Sequence, residues 1–420
     1  MMKRIAILFL FLFAAACAVA PEPEPVPSAE TVAHVREILA SPEIQEAFAH
    51  VDAHREEILA EWRMLTEIEA PSGEEAERAD AVEAILRRSP SVTVSRDEVG
   101  NIIAVRRGTG EGPTVVVDAH LDTVFHEIEN VETRIENGRL YGPGVGDDSR
   151  NMEAILAMLR ALDAAGVETV GDLWLTFTVE EETSFRGIDH LLETRGDEMD
   201  YVIALDGGFG GFTYGGTGTY WSRLHFLGPG GHTRSRTPPY SAALPLARAI
   251  ERIYDEVEVP SDPPSWLNVG MLGGTDVVNK KAEDAWFSAD VRSIDQATLD
   301  RLDAQVQAIA REEAARAGME IRVEEIDRWP AAQIPGHRTA PLVMTTQAVF
   351  GAMGFADPRI TATASNHSSA ALRRGISAIS TGAAPCGDAH APTEWCEIEP
   401  MYLGIKRLIL NAVAMADVSR

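Results

Sequence analysis

From residue 29 to about residue 90, apolar positions recur at three- and four-residue spacing among many charges, a pattern that predicts a run of helices. Ala70-Pro71-Ser72-Gly73 interrupts the run, and the glutamates just after it suit the start of the next helix. Strand-like segments come next, at 91–94, 102–106 and 114–119. Val115-Val116-Val117, apolar at every position, reads as a strand buried on both faces, as in a parallel sheet. A helix over about 149–165, a strand at 173–179, a helix over 185–194 and a strand at 201–205 continue an alternating order. That order predicts an α/β sheet with helices on its faces.

The rhythm changes after residue 217. Residues 218–228 read as a strand, 241–257 as a helix, 266–272 and 285–292 as strands, 296–317 as a helix and 320–326 as a strand. This β-α-β-β-α-β order is the ferredoxin-like split motif. After Pro330 the helix-strand pattern resumes and closes on an apolar helix at 405–415. The simplest division is a body made of residues 30–217 and 329–420, interrupted by a small domain at 218–328.

The N-terminus reads differently. Met1-Met2-Lys3-Arg4 gives a positive start, the apolar run from Ile5 to Ala16 is too short to span a bilayer, and small residues precede Cys17. Together these read as a secretory signal over 1–17. The Ala14-Ala15-Ala16-Cys17 junction resembles a bacterial lipoprotein cleavage site, after which Cys17 would carry a lipid anchor. Cleavage near Ala18-Val19-Ala20 is the other route, and both predict export to the periplasm or beyond. Residues 18–29, rich in proline, would be an extended tether. Two further cysteines, Cys386 and Cys396, flank His390 and are open to either a disulfide or two free thiols. The net charge of −28 over 420 residues argues against a nucleic-acid partner, whose phosphates it would repel.

Five places set acidic or histidine residues at the ends of predicted strands or in nearby loops, where open α/β sheets hold their ligands. His120 and Asp122 come directly after the 114–119 strand; a carboxylate two residues from a histidine can fix the tautomer of a ligating ring. Asp147 and Asp148 lie in the glycine-rich turn Gly142-Pro143-Gly144-Val145-Gly146. Glu180-Glu181-Glu182 end the 173–179 strand, where three adjacent acids repel one another unless a cation or proton compensates. Asp206 comes after the 201–205 strand, and His390 lies in Asp388-Ala389-His390-Ala391-Pro392-Thr393-Glu394. Each alone is a weak signal.

In this order they resemble the dinuclear zinc metallopeptidase family of acetylornithine deacetylase, succinyl-diaminopimelate desuccinylase, aminoacylase and carboxypeptidase G, with its peptidase T-like tripeptidases. Ala70-Pro71-Ser72-Gly73-Glu74 and Gly100-Asn101-Ile102-Ile103 are further landmarks of the resemblance. It implies a zinc-exopeptidase-type three-layer α/β/α catalytic domain with an inserted ferredoxin-like dimerisation domain, a homodimer, and two Zn2+ per chain, with Co2+ or Mn2+ as substitutes. His120 and Asp206 would hold one ion, Glu182 and His390 the other, and Asp147 would bridge them. Asp122 would orient His120 and Glu181 would be the general base. The alternative register pairs Glu180 with Glu181. In Gly228-Pro229-Gly230-Gly231-His232-Thr233, His232 would face the oxyanion, and Asn279 and Arg292 a substrate carboxylate. The implied reaction is hydrolysis of an amide bond in a small peptide or N-acyl amino acid; the alternative is a non-catalytic metal- or peptide-binding lipoprotein.

Two segments depart from the family pattern. Ser149-Arg150-Asn151 stands where lysine and glycine are usual, and Asn366-His367-Ser368-Ser369 stands where an acidic segment lines the substrate site. His367 reads there as a solvent-exposed loop residue rather than an additional substrate contact.

Overall fold

The computed structural model describes residues 24–274 and 277–417. The signal segment and Cys17 lie outside them.

Four helices open the described chain: α1 (Ala29–Ala40), α2 (Pro42–Ala53), α3 (Arg55–Glu67) and α4 (Ala76–Leu86). Ser28 and Ser41 cap the first two, each accepting a hydrogen bond from a backbone N–H three residues on. The main sheet is built from β1 (Val92–Arg96), β2 (Ile102–Arg106), β3 (Val115–His120), β4 (Leu173–Thr178), β5 (Tyr201–Leu205) and β6 (Gly211–Thr213). Two strands from late in the chain complete it. Between β3 and β4 runs α5 (Arg150–Ala164), and between β4 and β5 runs α6 (Arg186–Arg195).

The inserted domain comes next in the chain: β7 (Gly218–Leu227), α7 (Ala243–Glu256), β8 (Ser265–Gly273), β9 (Asp284–Ser293), α8 (Gln296–Arg316) and β10 (Glu320–Trp329). Its sheet order is β8-β9-β7-β10 with every neighbour antiparallel, the split motif expected from the pattern. The last strand runs past residue 326 because a bulge between Glu325 and Asp327 shifts its register and breaks the alternation that marks a strand in sequence.

The chain returns to the body through α9 (Pro341–Ala352), β11 (Arg359–Thr361), α10 (His367–Arg373), β12 (Ser377–Thr381) and α11 (Ile398–Ala416). The eight-stranded order is β1-β2-β4-β3-β5-β12-β6-β11. Its middle, β4-β3-β5-β12, is parallel. All six residues of β3 and of β4 are buried, as a parallel strand covered on both faces requires. Each apolar side chain of this core contributes roughly 1.5–3 kcal/mol relative to exposure.

One core joins α2–α5 and α11 to the sheet, a second fills the insert, and a third lies under α6 and α10. The insert meets the body where Trp329 packs on Phe185 and Trp221. Its two chain crossings lie side by side: Gly216 pairs antiparallel with Ala332 and parallel with Ala364. A Cβ at Gly216 would come within 2.7 Å of both the Ala332 Cβ and the Ser369 Oγ, so only glycine fits this crossing.

Candidate metal centre and active site

The parallel strands end on one edge, and the candidate ligands gather there. β3 closes on His120, fully buried, with its ring held at both nitrogens. Nδ1 lies 3.2 Å from Asp122 Oδ1, and Nε2 lies 2.9 Å from Asp147 Oδ1. Asp122 also accepts hydrogen bonds from the backbone N–H groups of Glu181 (2.9 Å) and Glu182 (3.0 Å), and from Ser72 Oγ (2.6 Å). One carboxylate thus fastens the histidine, the glutamate turn after β4 and the Ala70–Gly73 break. Burial works to raise the Asp122 carboxyl, but hydrogen bonding and attraction to His120 outweigh it and hold it at about 2.

Asp147 sits on a turn pinned from outside the sheet. The Glu394 carboxylate accepts from the backbone N–H groups of Gly144 (2.8 Å), Gly146 (2.9 Å) and Asp147 (2.8 Å), and Trp62 Nε1 donates to Val145 O. The sequence signal for Glu394 is only its place in the His390 segment. Gly144 has a positive φ, and a Cβ there would approach Thr123 Cγ2 to 2.6 Å. Held this way, Asp147 turns its second oxygen, Oδ2, toward His390 Nε2 at 3.1 Å. His390 also lies 3.2 Å from Glu182 Oε1, off the line of a hydrogen bond. The loop carrying His390 is closed by a disulfide between Cys386 and Cys396, which settles the pairing the sequence left open.

Asp206 lies just past the end of β5. Its backbone carbonyl accepts from Ser380 Oγ and Asn366 Nδ2, both at 2.5 Å. The unusual Ser149-Arg150-Asn151 segment serves as a strut. Arg150 donates to Ala384 O and Gly207 O, while Asn151 links Asp148, Leu205 O and the Ala383 N–H. A cleft of about 630 Å3 opens on Asp147, Arg150 and Asp206.

His367 departs from expectation. It is fully buried at the start of α10 rather than solvent-exposed. Its Nδ1 hydrogen-bonds Asp118 Oδ2, and its ring stands edge-on to His120 with centroids 5.3 Å apart. The sequence could not reveal this contact, because Asp118 and His367 meet only when α10 packs on β5 and β12.

The remaining candidates lie elsewhere. His232 is exposed on a two-residue strand pairing with Lys280 and Lys281, and its Nδ1 accepts from the Arg234 N–H. Asn279 is exposed, and Arg292 is occupied by Asp290 at 2.9 Å. Among the described residues, no hydrogen bond or ion pair joins any of the three to the His120–His390 cluster.

The donor chemistry fits metal ions. Among the described residues, His120, Glu181, Asp206 and His367 bring ligand atoms within 4.8 Å of one another, as do His120, Asp147 and Glu182. Glu182 Oε1 and His367 Nε2 are buried without a hydrogen-bond partner. Burial, then repulsion from Asp206, pushes Glu181 well above the usual carboxyl range; burial, with repulsion from Asp147, pushes Glu182 to about 7. Hydrogen bonding to Asp147 lifts His390 to about 9. Carboxylates so crowded need positive charge among them, and carboxylate with imidazole is a donor set suited to zinc, cobalt or manganese.

A cluster of candidate metal ligands thus lies at the carboxyl edge of an α/β sheet in a chain interrupted by a split-motif insert. Residues 116–411 match the model of peptidase family M20/M25/M40, and the chain belongs to that family of metal-dependent peptidases and amidohydrolases. Among curated relatives, it is 27% identical to a succinyl-diaminopimelate desuccinylase of Leptothrix cholodnii over 60% of this chain and 70% of that protein. It is 28% identical to carboxypeptidase G2 of a Pseudomonas species over 46% of this chain and 47% of that one. The fold matches a tripeptidase of Staphylococcus aureus (TM-score 0.76, 20% identity, 86% of this chain and 98% of that one). It also matches an aminopeptidase of Bacillus cereus (TM-score 0.74, 18% identity, 86% and 98%).

Proposed function

We propose that this chain hydrolyses the amide bond of a small peptide or N-acyl amino acid at a two-zinc centre, and does so outside the cytoplasm. The observation that carries the reading is Asp147, whose two oxygens each face a different imidazole, His120 at 2.9 Å and His390 at 3.1 Å. A carboxylate so placed suits a bridge between two ions, one completed by His120 and Asp206, the other by Glu182 and His390. Zinc ions held by these residues would supply Lewis acidity, polarising the scissile carbonyl and making water more acidic.

The chain's own residues do the rest. Glu181, oriented through its backbone by Asp122, takes a proton from the attacking water and returns it to the leaving amine. Its raised affinity for protons suits that exchange. The contact between Glu182 and His390 favours the Glu181-Glu182 register over Glu180-Glu181. Asp122 keeps the hydrogen of His120 on Nδ1, leaving Nε2 free to ligate. His232, Asn279 and Arg292 bind the oxyanion and the substrate carboxylate once a second copy, or closure of the insert, brings them in. Exposed apolar side chains on β8 and α7, among them Leu272 (64% exposed) and Tyr254 (55%), support a homodimer formed along that edge. Export rests on the N-terminal pattern, with Cys17 as the lipid anchor.

Metal analysis of the purified protein tests the reading, together with a screen of dipeptides, tripeptides and N-acyl amino acids with zinc, cobalt or manganese supplied. Two ions per chain and turnover that chelation abolishes are expected. Full turnover in metal-free protein would end the proposal.

A further inference from the structure

We infer that His367 is a metal ligand, a third imidazole at the centre, held in place by Asp118. The inference rests on the two-metal reading above and adds a residue to it.

The argument starts from what a buried imidazole requires. Both ring nitrogens need a partner, and burying a polar atom without one is costly. His367 is fully buried. Its Nδ1 is satisfied by Asp118, which also accepts from Thr176 Oγ1 (2.6 Å) and Thr178 Oγ1 (3.2 Å) on β4. An acceptor so engaged takes the ring's hydrogen at Nδ1, and a ring with one hydrogen presents a lone pair at Nε2. That nitrogen has no hydrogen-bond partner. The nearest carboxylate oxygen, Glu181 Oε1, is 3.8 Å away, beyond hydrogen-bond reach.

The position of this residue matters as much as the isolation of its nitrogen. His120, Asp206, Glu181 and His367 place ligand atoms within 4.8 Å of one another. A cation there meets the His367 nitrogen and the two residues already assigned to one ion.

The support behind the ring has the same form as that behind His120. Asp118, His120 and Asp122 alternate along the end of β3. Asp122 holds the Nδ1 of His120, and Asp118 holds the Nδ1 of His367. Carboxylate-backed histidines of this kind are oriented as ligands, with the outer carboxylate fixing the tautomer. The two ions would then be unequal, the one at His120 having two imidazoles and the one at His390 having one. The richer nitrogen set favours zinc or cobalt over manganese at the His120 position.

The test is a count of metal-bound imidazoles. Full-length protein with heavy-nitrogen-labelled histidines is stripped with chelator and loaded with an NMR-active cadmium isotope. Three histidine Nε2 resonances split by cadmium are expected, and His367→Asn should leave two. That variant should also weaken one site by more than the about 10–100-fold that losing an outer partner costs. Asp118→Asn should keep three split resonances and weaken the site within that range. Two split resonances in unaltered protein that holds two ions overturn the inference, a result that stands even if the variants do not fold. So does a His367→Asn protein that binds both ions as tightly as the parent while losing turnover, which would give His367 to Glu181 or to substrate. One bound ion with two imidazoles would uphold this ligand and overturn the two-metal reading, and no bound ion would overturn both.

Discussion

The carboxyl edge of the main sheet and the loop edge of the inserted domain carry the same kinds of residue in opposite states. At the sheet edge His120 is wholly enclosed, bonded at both nitrogens, and backed by a carboxylate that is itself bonded three further times. On the insert the His232 side chain stands in solvent with one backbone contact, and Arg292 is turned onto its own neighbour Asp290. The first region is finished within one chain, whereas on the proposed reading the second stays unfinished until a second copy or closure of the insert meets it.

The largest expected effect is at the finished edge. Glu181→Gln should lower kcat by about 10^2–10^4-fold, the usual worth of a positioned proton carrier, with metal content unchanged. Metal analysis beside steady-state kinetics checks both halves, and a variant with normal kcat would remove Glu181 as base. Next comes the unfinished edge: His232→Ala should cost about 10^2–10^3-fold in kcat and less in KM, the behaviour of an oxyanion donor. Mixing the Glu181→Gln and His232→Ala chains asks whether His232 reaches its own chain's centre or a partner's. Recovered activity in the mixture means a partner's, and none means closure within one chain.

Asp122→Asn should weaken metal binding or activity by about 10–100-fold, because it loosens His120 and the Glu181 turn together. Isothermal titration with zinc reads it directly. The smallest effect belongs to the disulfide. Cys386→Ser with Cys396→Ser should cost at most about 2–3 kcal/mol of stability in denaturant, as expected for a short closed loop. On the two-ion reading, the ion at His390 should then exchange faster than the ion at His120, since only His390 rides on that loop.

Most of this centre was legible because its residues sit at strand ends. A β-branched run such as Val115–Val117 fixes the strand, and with it the position of the residues at its carboxyl end. The insert was legible for a similar reason, since its alternation switches where the body's parallel pattern stops. The features that the sequence does not show depend on packing between distant segments. Arg78 reads as one more charge on an amphipathic helix, yet it is buried and donates to Leu121 O and Ile68 O behind the metal site. Burial draws its guanidinium down to about 10. Asp118 reads as part of a His-x-Asp neighbourhood and gives no hint of His367, which lies 249 positions away. The helix α11 begins at Ile398 rather than 405, because Pro400 in its first turn reads as a break although proline fits there, where N–H groups have no helical partner.

The paired crossings at Gly216 and Ala332 carry a consequence for how such a chain can be rearranged. Facing residues in an antiparallel bridge have Cα atoms about 4.5–5.5 Å apart, so the whole insert leaves and re-enters through one doorway. A bridge of two or three small residues between 215 and 333 would close the body without disturbing its sheet. The excised module, with its own core, would be free to fold alone. The chain is thus divisible at a single point: the cluster of candidate metal ligands stays with the body when everything that passes through that doorway is exchanged.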